Sequence, residues 1–196
     1  PKLAEPAGER VGCGGTGRAT SLLIVGDSAA AGVGVEHQKS ALAGCLAKAL
    51  NATHRVRWKL AATSGDSSAQ LLDRVRQLEQ EKFKLVVVSI GVNDVTNLTS
   101  GRRWIANLEA IIETLREQLG AQRIYLSSVP PMHKFPALPQ PLRWWLGTRA
   151  RQLNLLMREV AQKHADCEYV QIPFVPDPGY MAADGFHPGA RAYELW

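Results

Sequence analysis

Apolar and polar positions along the chain alternate between two periods. Leu22-Leu23-Ile24-Val25 is an unbroken apolar run with two β-branched residues, which predicts a short buried strand. Gly26 ends the run, and small residues follow. From Gln38 to Asn51 the positions Leu42, Cys45, Leu46, Ala49 and Leu50 recur at helical spacing and predict a helix. Val56, Trp58 and Leu60 then alternate, so Arg55 to Ala61 reads as a second strand. After a turn-like Thr63-Ser64-Gly65-Asp66-Ser67, Leu71, Leu72, Val75 and Leu78 predict a helix over Ser68 to Glu81. Leu85 to Ile90 is almost wholly apolar, as expected of a strand covered on both faces.

The second half repeats the scheme. A long helix is expected from Arg102 to Leu119, stopped by Gly120. Arg123 to Ser128 is a fourth strand, Leu146 to His164 a helix and Glu168 to Ile172 a fifth strand. Pro188 to Trp196 starts a short last helix at the end of the sequence. The Pro- and aromatic-rich segment Val129 to Trp145 is too long for a plain connection and is expected to wall or lid a site. Strands that alternate with helices imply a parallel sheet of about five strands, right-handed crossovers and helices on both faces. No internal repeat interrupts this order.

With 196 residues, 45% apolar and 21% charged, the chain is long enough for one domain with a full core. Residues 1–20 are rich in Gly and Pro and read as an arm or linker; residues 21–196 form the domain. No apolar run approaches the ~18 residues of a membrane span. The sequence starts at Pro1 without a methionine, which leaves room for a leader or anchor upstream and for an exported or membrane-anchored location.

The net charge is +5, from 23 Lys and Arg against 18 Asp and Glu. Arg55-Val56-Arg57-Trp58-Lys59 and Arg102-Arg103-Trp104 mix base with aromatic, as nucleic-acid binders do. The first alternates like a strand and the second sits near a helix start, so no nucleic-acid partner is expected. Peripheral contact with an acidic lipid surface suits the charge better. Cys13, Cys45 and Cys167 have neither zinc spacing nor a disulfide pattern, and Cys45 falls on a core face.

The candidate chemistry begins at Gly26-Asp27-Ser28. A serine just past the first buried strand lies where open α/β sheets bind ligands. It needs a base to act as a nucleophile. Asp184-Gly185-Phe186-His187-Pro188 supplies an acid and a histidine three residues apart, a spacing that lets the carboxylate orient the imidazole. His37 and His54 sit in connections, His133 lies in the long loop, and His164 is expected to face solvent from a polar helix end. Gly65 follows the second strand and Asn93 the third. In a parallel sheet both emerge on the edge that carries Ser28. With the Ser28 N–H they can form an oxyanion hole; alternatively, they are a turn glycine and a turn asparagine. Gly65-Asp66-Ser67 is a second Gly-Asp-Ser, ranked below the first because only Ser28 follows the first strand. Neither serine has the G-x-S-x-G of α/β-hydrolases.

These residues resemble the SGNH hydrolases, the GDSL esterase and lipase family. Gly26-Asp27-Ser28, Gly65, Gly91-Val92-Asn93-Asp94 and Asp184-Gly185-Phe186-His187 stand in that family's order. The resemblance runs from about Ser21 to the C-terminus and is nearest to bacterial single-domain esterases of the lysophospholipase and thioesterase type. It implies a flavodoxin-like three-layer α/β/α sandwich and hydrolysis of small-molecule carboxylic esters without metal or cofactor. It further implies Ser28 as nucleophile, His187 as base, Asp184 as its orienter, and Ser28, Gly65 and Asn93 as oxyanion donors. Ala29 stands where the family name has leucine, so acyl preference does not carry over; short to medium acyl chains are expected. Two alternatives remain: a carbohydrate O-deacetylase using the same residues, and an acyl- or lipid-binding module that has lost catalysis.

Overall fold

The computed structural model describes residues 3–175 and 177–196. Its strands are β1 (Val11–Gly14), β2 (Arg18–Gly26), β3 (His54–Ala62), β4 (Leu85–Ser89), β5 (Arg123–Ser127) and β6 (Cys167–Val170). They form one sheet in the order β1-β3-β2-β4-β5-β6. β2 to β6 are parallel, and β1 runs antiparallel to β3 on the edge, with Val11 opposite Lys59 and Gly14 opposite Val56. The five expected parallel strands are present in flavodoxin-like order, and the sheet gains a sixth, antiparallel strand. β1 lies within residues 1–20, the expected arm, and β2 begins at Arg18, four residues before the apolar run that starts at Leu22.

The helices are α1 (Ser28–Ala31), α2 (Leu42–Asn51), α3 (Ser68–Arg76), α4 (Val92–Thr96), α5 (Gly101–Glu117), α6 (Leu142–Gln162) and α7 (Ala190–Leu195). Side chains alternate across a strand, so β2 feeds two cores. Leu23 and Val25 pack with α3, α5 and α6, where Leu71, Trp104, Leu108, Ile111 and Met157 are buried. Leu22 and Ile24 pack on the other face with α1, α2 and α7 through Ala31, Leu42 and Tyr193. The result is an α/β/α sandwich.

Element ends depart from the pattern for local reasons. α3 stops at Arg76, where the Gln118 side-chain amide donates to the carbonyls of Arg76 and Leu78. Glu81, expected at its end, instead pairs with Lys59 and Arg57 of β3. α6 begins at Leu142, before the expected Leu146. Pro141 precedes it with a φ of −85°, close to helical, and Gln140 Oε1 accepts the Trp144 N–H at 3.2 Å. The long loop is therefore shorter than the composition suggests. His164, expected in solvent, is partly buried, with Nε2 2.5 Å from Glu109 Oε2. Cys45 is half-buried at the border of its core.

Asn154 of α6 fixes the chain leaving β5. Its amide donates to Val129 O and its carbonyl accepts the Val129 N–H, both at 2.8 Å. Val129 is 1% exposed, so both backbone groups would be orphaned without it. Asn154→Ala is expected to lower the stability by roughly 1–3 kcal/mol, the usual cost of leaving buried polar groups unpaired. Urea denaturation of the two proteins measures it.

Candidate active site

The sheet changes direction at β2. The chain passes first to β3 on one side and then to β4 on the other, which opens a crevice at the C-terminal ends of these strands. Gly26 sits there with φ of +150°, and a Cβ on it would lie 1.9 Å from Ser89 O. That approach is available to glycine alone. It lets the Asp27 N–H donate to Ser89 O at 3.0 Å, while the Thr63 N–H donates to Gly26 O at 3.1 Å. The ends of three strands are thus drawn together under Ser28. Asp27 caps α1 by accepting the Ala29 N–H at 3.1 Å.

The Asp184–His187 turn is tied into a short antiparallel loop. The Ala182 N–H donates to His187 O at 2.9 Å and the Gly189 N–H to Tyr180 O at 2.8 Å. Asp184 Oδ1 accepts the N–H groups of Phe186 and His187, both at 3.0 Å. Its other oxygen, Oδ2, lies 2.6 Å from His187 Nδ1, and His187 Nε2 lies 3.0 Å from Ser28 Oγ. Burial raises the Asp184 carboxyl, but its hydrogen bonds from the His187 side chain and from the His187 and Phe186 N–H groups outweigh this and hold it below the usual range. An ionised carboxylate only accepts, so Nδ1 carries the imidazole proton and Nε2 presents its lone pair to the serine hydroxyl. The arrangement can deprotonate Ser28 and hold the imidazolium that results.

The loops after β3 and β4 are joined to each other. Asn93 Nδ2 donates to Asp66 O at 2.9 Å. Asp94 is fully buried and accepts from Ser68 N at 2.8 Å and Ser68 Oγ at 2.6 Å; Asn107 donates to the same hydroxyl at 2.8 Å. Gly65 takes a φ of +91°, and a Cβ at that position would meet nothing within 4 Å, so its backbone angle rather than space calls for glycine. Among the described residues, the N–H groups of Ser28 and Gly65 have no hydrogen-bond partner. One of the two Asn93 amide protons holds the Asp66 carbonyl, which leaves the other for a ligand.

The second Gly-Asp-Ser is scaffold. Ser67 forms a capping box with Gln70 at the start of α3, and Asp66 makes a two-pronged pair with Arg74 at 2.7 and 3.1 Å. No histidine bonds to Ser67 among the described residues. The expected arm also reaches the site: Glu5 Oε1 accepts the Ser64 N–H at 2.8 Å beside Gly65, while Glu5 Oε2 pairs with Arg10. Nothing in the spacing of Glu5 pointed to this.

An apolar pocket opens beside Ser28 and His187. Phe135, Ile172, Phe174, Met181, Phe186 and Trp196 are among the residues that line it. Phe186 meets Phe135 edge-on at 5.1 Å and His187 at 5.3 Å, and Phe135 stacks on Phe174 at 5.9 Å. The Pro-rich loop therefore contributes a wall through Pro130 and Phe135. Trp144, Trp145 and His133 are not among the lining residues. Phe174 and Met181 come from a stretch that reads as merely irregular, and their only signal is an apolar character unusual for a loop.

Residues 24–195 match the model of the GDSL-like lipase/acylhydrolase family. This chain belongs to that family. As a member it hydrolyses carboxylic esters through an acyl-enzyme on serine, and its substrates are small-molecule esters. It is 27% identical over 180 residues to the esterase TesA of Pseudomonas aeruginosa, a match that covers 89% of this chain and 82% of that protein. A solved TesA structure superposes with a TM-score of 0.69 at 28% identity, covering 88% of this chain and 91% of that one. The lipase/acylhydrolase of Enterococcus faecalis shares the fold with a TM-score of 0.65 at 24% identity, over 90% of each chain.

Asp27 has an unusual environment for a charge. Burial raises its pKa, the neighbouring Asp94 and Asp66 add to the shift, and the Ala29 N–H only partly opposes it, so the value is pushed up to about 7. The unfolded carboxyl titrates near ~3.9. Between these values the folded state binds more protons than the unfolded one, so the contribution of Asp27 to stability falls as pH rises from ~4 to ~7. Asp27→Asn keeps a capping oxygen and removes the charge. It is expected to raise stability at about pH 8 by up to roughly 4 kcal/mol and to change it little at about pH 4. Denaturation of both proteins at the two pH values checks the sign.

Proposed function

We propose that Ser28 is the nucleophile, His187 its base and Asp184 the group that orients the base. The two contacts of His187, one to Asp184 and one to Ser28, carry this reading. Ser28 Oγ attacks the acyl carbonyl while its proton moves to His187 Nε2. Negative charge gathers on the carbonyl oxygen, where the Ser28 N–H, the Gly65 N–H and the free Asn93 amide proton donate to it. Asp184, held ionised by its own hydrogen bonds, stabilises the imidazolium through Nδ1–H. The Nε2 proton then passes to the departing alkoxide. Water repeats the sequence on the acyl-serine: His187 takes its proton, hydroxide adds to the carbonyl, and Ser28 leaves as the alcohol by recovering that proton. The acid is released.

The apolar wall of the pocket supports an aliphatic acyl group, and no long apolar helix covers it as a lipase lid would among the described residues. Short to medium acyl esters are the substrates this reading favours. An acetylated sugar would bring hydroxyls that Phe135, Phe174 and Phe186 cannot bond. A binding module would not need a serine, an imidazole and a carboxylate in sequence.

Ser28→Ala is expected to abolish ester hydrolysis and labelling by a fluorophosphonate, whereas Ser67→Ala should retain both. Asn93→Ala should lower kcat by ~10²–10³ with little change in KM, because its donor acts on charge present only in the transition state. Labelling retained in Ser28→Ala, or normal kcat in Asn93→Ala, would remove that residue from the proposed machinery.

Substrate choice has its own test. Across p-nitrophenyl esters from acetyl to palmitoyl, with acetylated xylan alongside, kcat/KM should peak at a short or medium chain. A maximum on the palmitoyl ester, or on the acetylated sugar, would overturn the acyl assignment while leaving the catalytic one intact.

A further inference from the structure

The outer face of α6 is unlike the rest of the surface. Four of the seven large apolar side chains left exposed among the described residues are on this helix: Leu142 at 43%, Trp144 at 61%, Trp145 at 41% and Leu155 at 60%. Leu98, 52% exposed, precedes Thr99, whose carbonyl accepts from Arg149 of α6 at 3.0 Å. Apolar side chains of this size in water are costly, and grouped on one helix they mark a contact surface.

The stretch of chain that leads into and through most of α6 carries charge of one sign. From Gln118 to Arg158 the sequence contains Arg123, Lys134, Arg143, Arg149, Arg151 and Arg158 and no Asp or Glu. These six charges exceed the net +5 of the whole chain. Among the described residues none of them pairs with a carboxylate, although Arg10, Arg57, Arg74 and Arg116 elsewhere all do. Arg149 lies over the Trp145 ring at 5.7 Å and Arg158 over Tyr169 at 4.8 Å. Glu159, near the C-terminal end of α6, is the helix's single acid.

We infer that this face docks on the surface of a bilayer containing acidic phospholipids. Tryptophan suits such an interface because its ring is apolar and its N–H polar. Unpaired arginines suit it because anionic headgroups complement them. Trp144, Arg151, Leu155 and Arg158 follow one another at seven, four and three residues and so share one line of α6, which places apolar and basic side chains together as on a helix lying in the interfacial plane. The segment that leads into α6 carries Pro130 and Phe135 of the pocket wall, so docking brings the acyl pocket near the lipid. The inference stands apart from the chemistry assigned to Ser28, and its test separates the two.

The experiment is co-sedimentation of the protein with vesicles of equal phosphatidylglycerol and phosphatidylcholine, or of phosphatidylcholine alone. Binding is expected on the acidic vesicles and not on the neutral ones, and it should weaken as salt is raised from roughly 0.05 to 0.5 M, where screening shortens from ~14 Å to ~4 Å. Trp144→Ala, and separately Arg151→Glu with Arg158→Glu, should each lower the partition coefficient, the charge reversal by roughly tenfold or more. Hydrolysis of a soluble short-chain ester should be unchanged in both, which shows that the variants are folded. Absence of binding to acidic vesicles at low salt would overturn the inference. So would equal binding to neutral vesicles, or binding that the variants do not alter. A dimer in light scattering that Trp144→Ala dissociates would assign the face to a second copy and overturn it as well.

Discussion

The site rests on the close approach of β2 to β4 at Gly26. A side chain there would collide with Ser89 O, so a hydrogen atom is all the position holds. The approach lets Asp27 N–H bond to Ser89 O while Gly26 O receives Thr63 N–H, which pins three strand ends to one another before the chain turns into α1. Ser28 emerges from that pinned corner. Its position is a consequence of backbone geometry that precedes any side-chain contact it makes.

Buried polar groups carry this rigidity outward. Asp94 takes both groups of Ser68, Asn107 completes that hydroxyl, and Asn93 holds the Asp66 carbonyl. The loops after β3 and β4 therefore cannot move independently. Low local dielectric strengthens such a network when every member is satisfied. It also has a cost. Asp27, Asp66 and Asp94 are crowded together, and the carboxyl of Asp27, with no cation against it, is driven toward the neutral form. The Asp-containing motif thus trades some stability for a fixed corner.

His187, the proposed base, is held by a different kind of contact. Its loop is closed by its own backbone bonds and by the two N–H groups on Asp184. Phe186 then anchors it through Phe135 and Phe174, and the same rings form the pocket wall. Orientation of the imidazole and shape of the apolar pocket are coupled through one aromatic cluster. Substitutions at Phe186 act on both.

Much of this was legible in the sequence wherever a signal is local. Apolar runs and helical periods determined the five parallel strands and the main helices, because burial on one or both faces writes a period into the chain. Ser28 stood out by its place after the first buried strand and Asp184 and His187 by their spacing, and His187 lies within hydrogen-bond distance of both others. Asn93 and Gly65 became candidates through the rule that parallel strands end on one edge. Tertiary structure alone decided what depends on contacts between distant segments. Glu5 reaches Ser64, β1 pairs with β3, and Gln118 ends α3; no periodicity encodes such pairings. Phe174 and Met181 become pocket wall only because β5, β6 and the histidine loop bring them together. Two Gly-Asp-Ser sequences look alike by composition, and they part in the fold. One meets an imidazole, and the other caps a helix and binds an arginine, since partners are assigned by position in space rather than by neighbours in the chain.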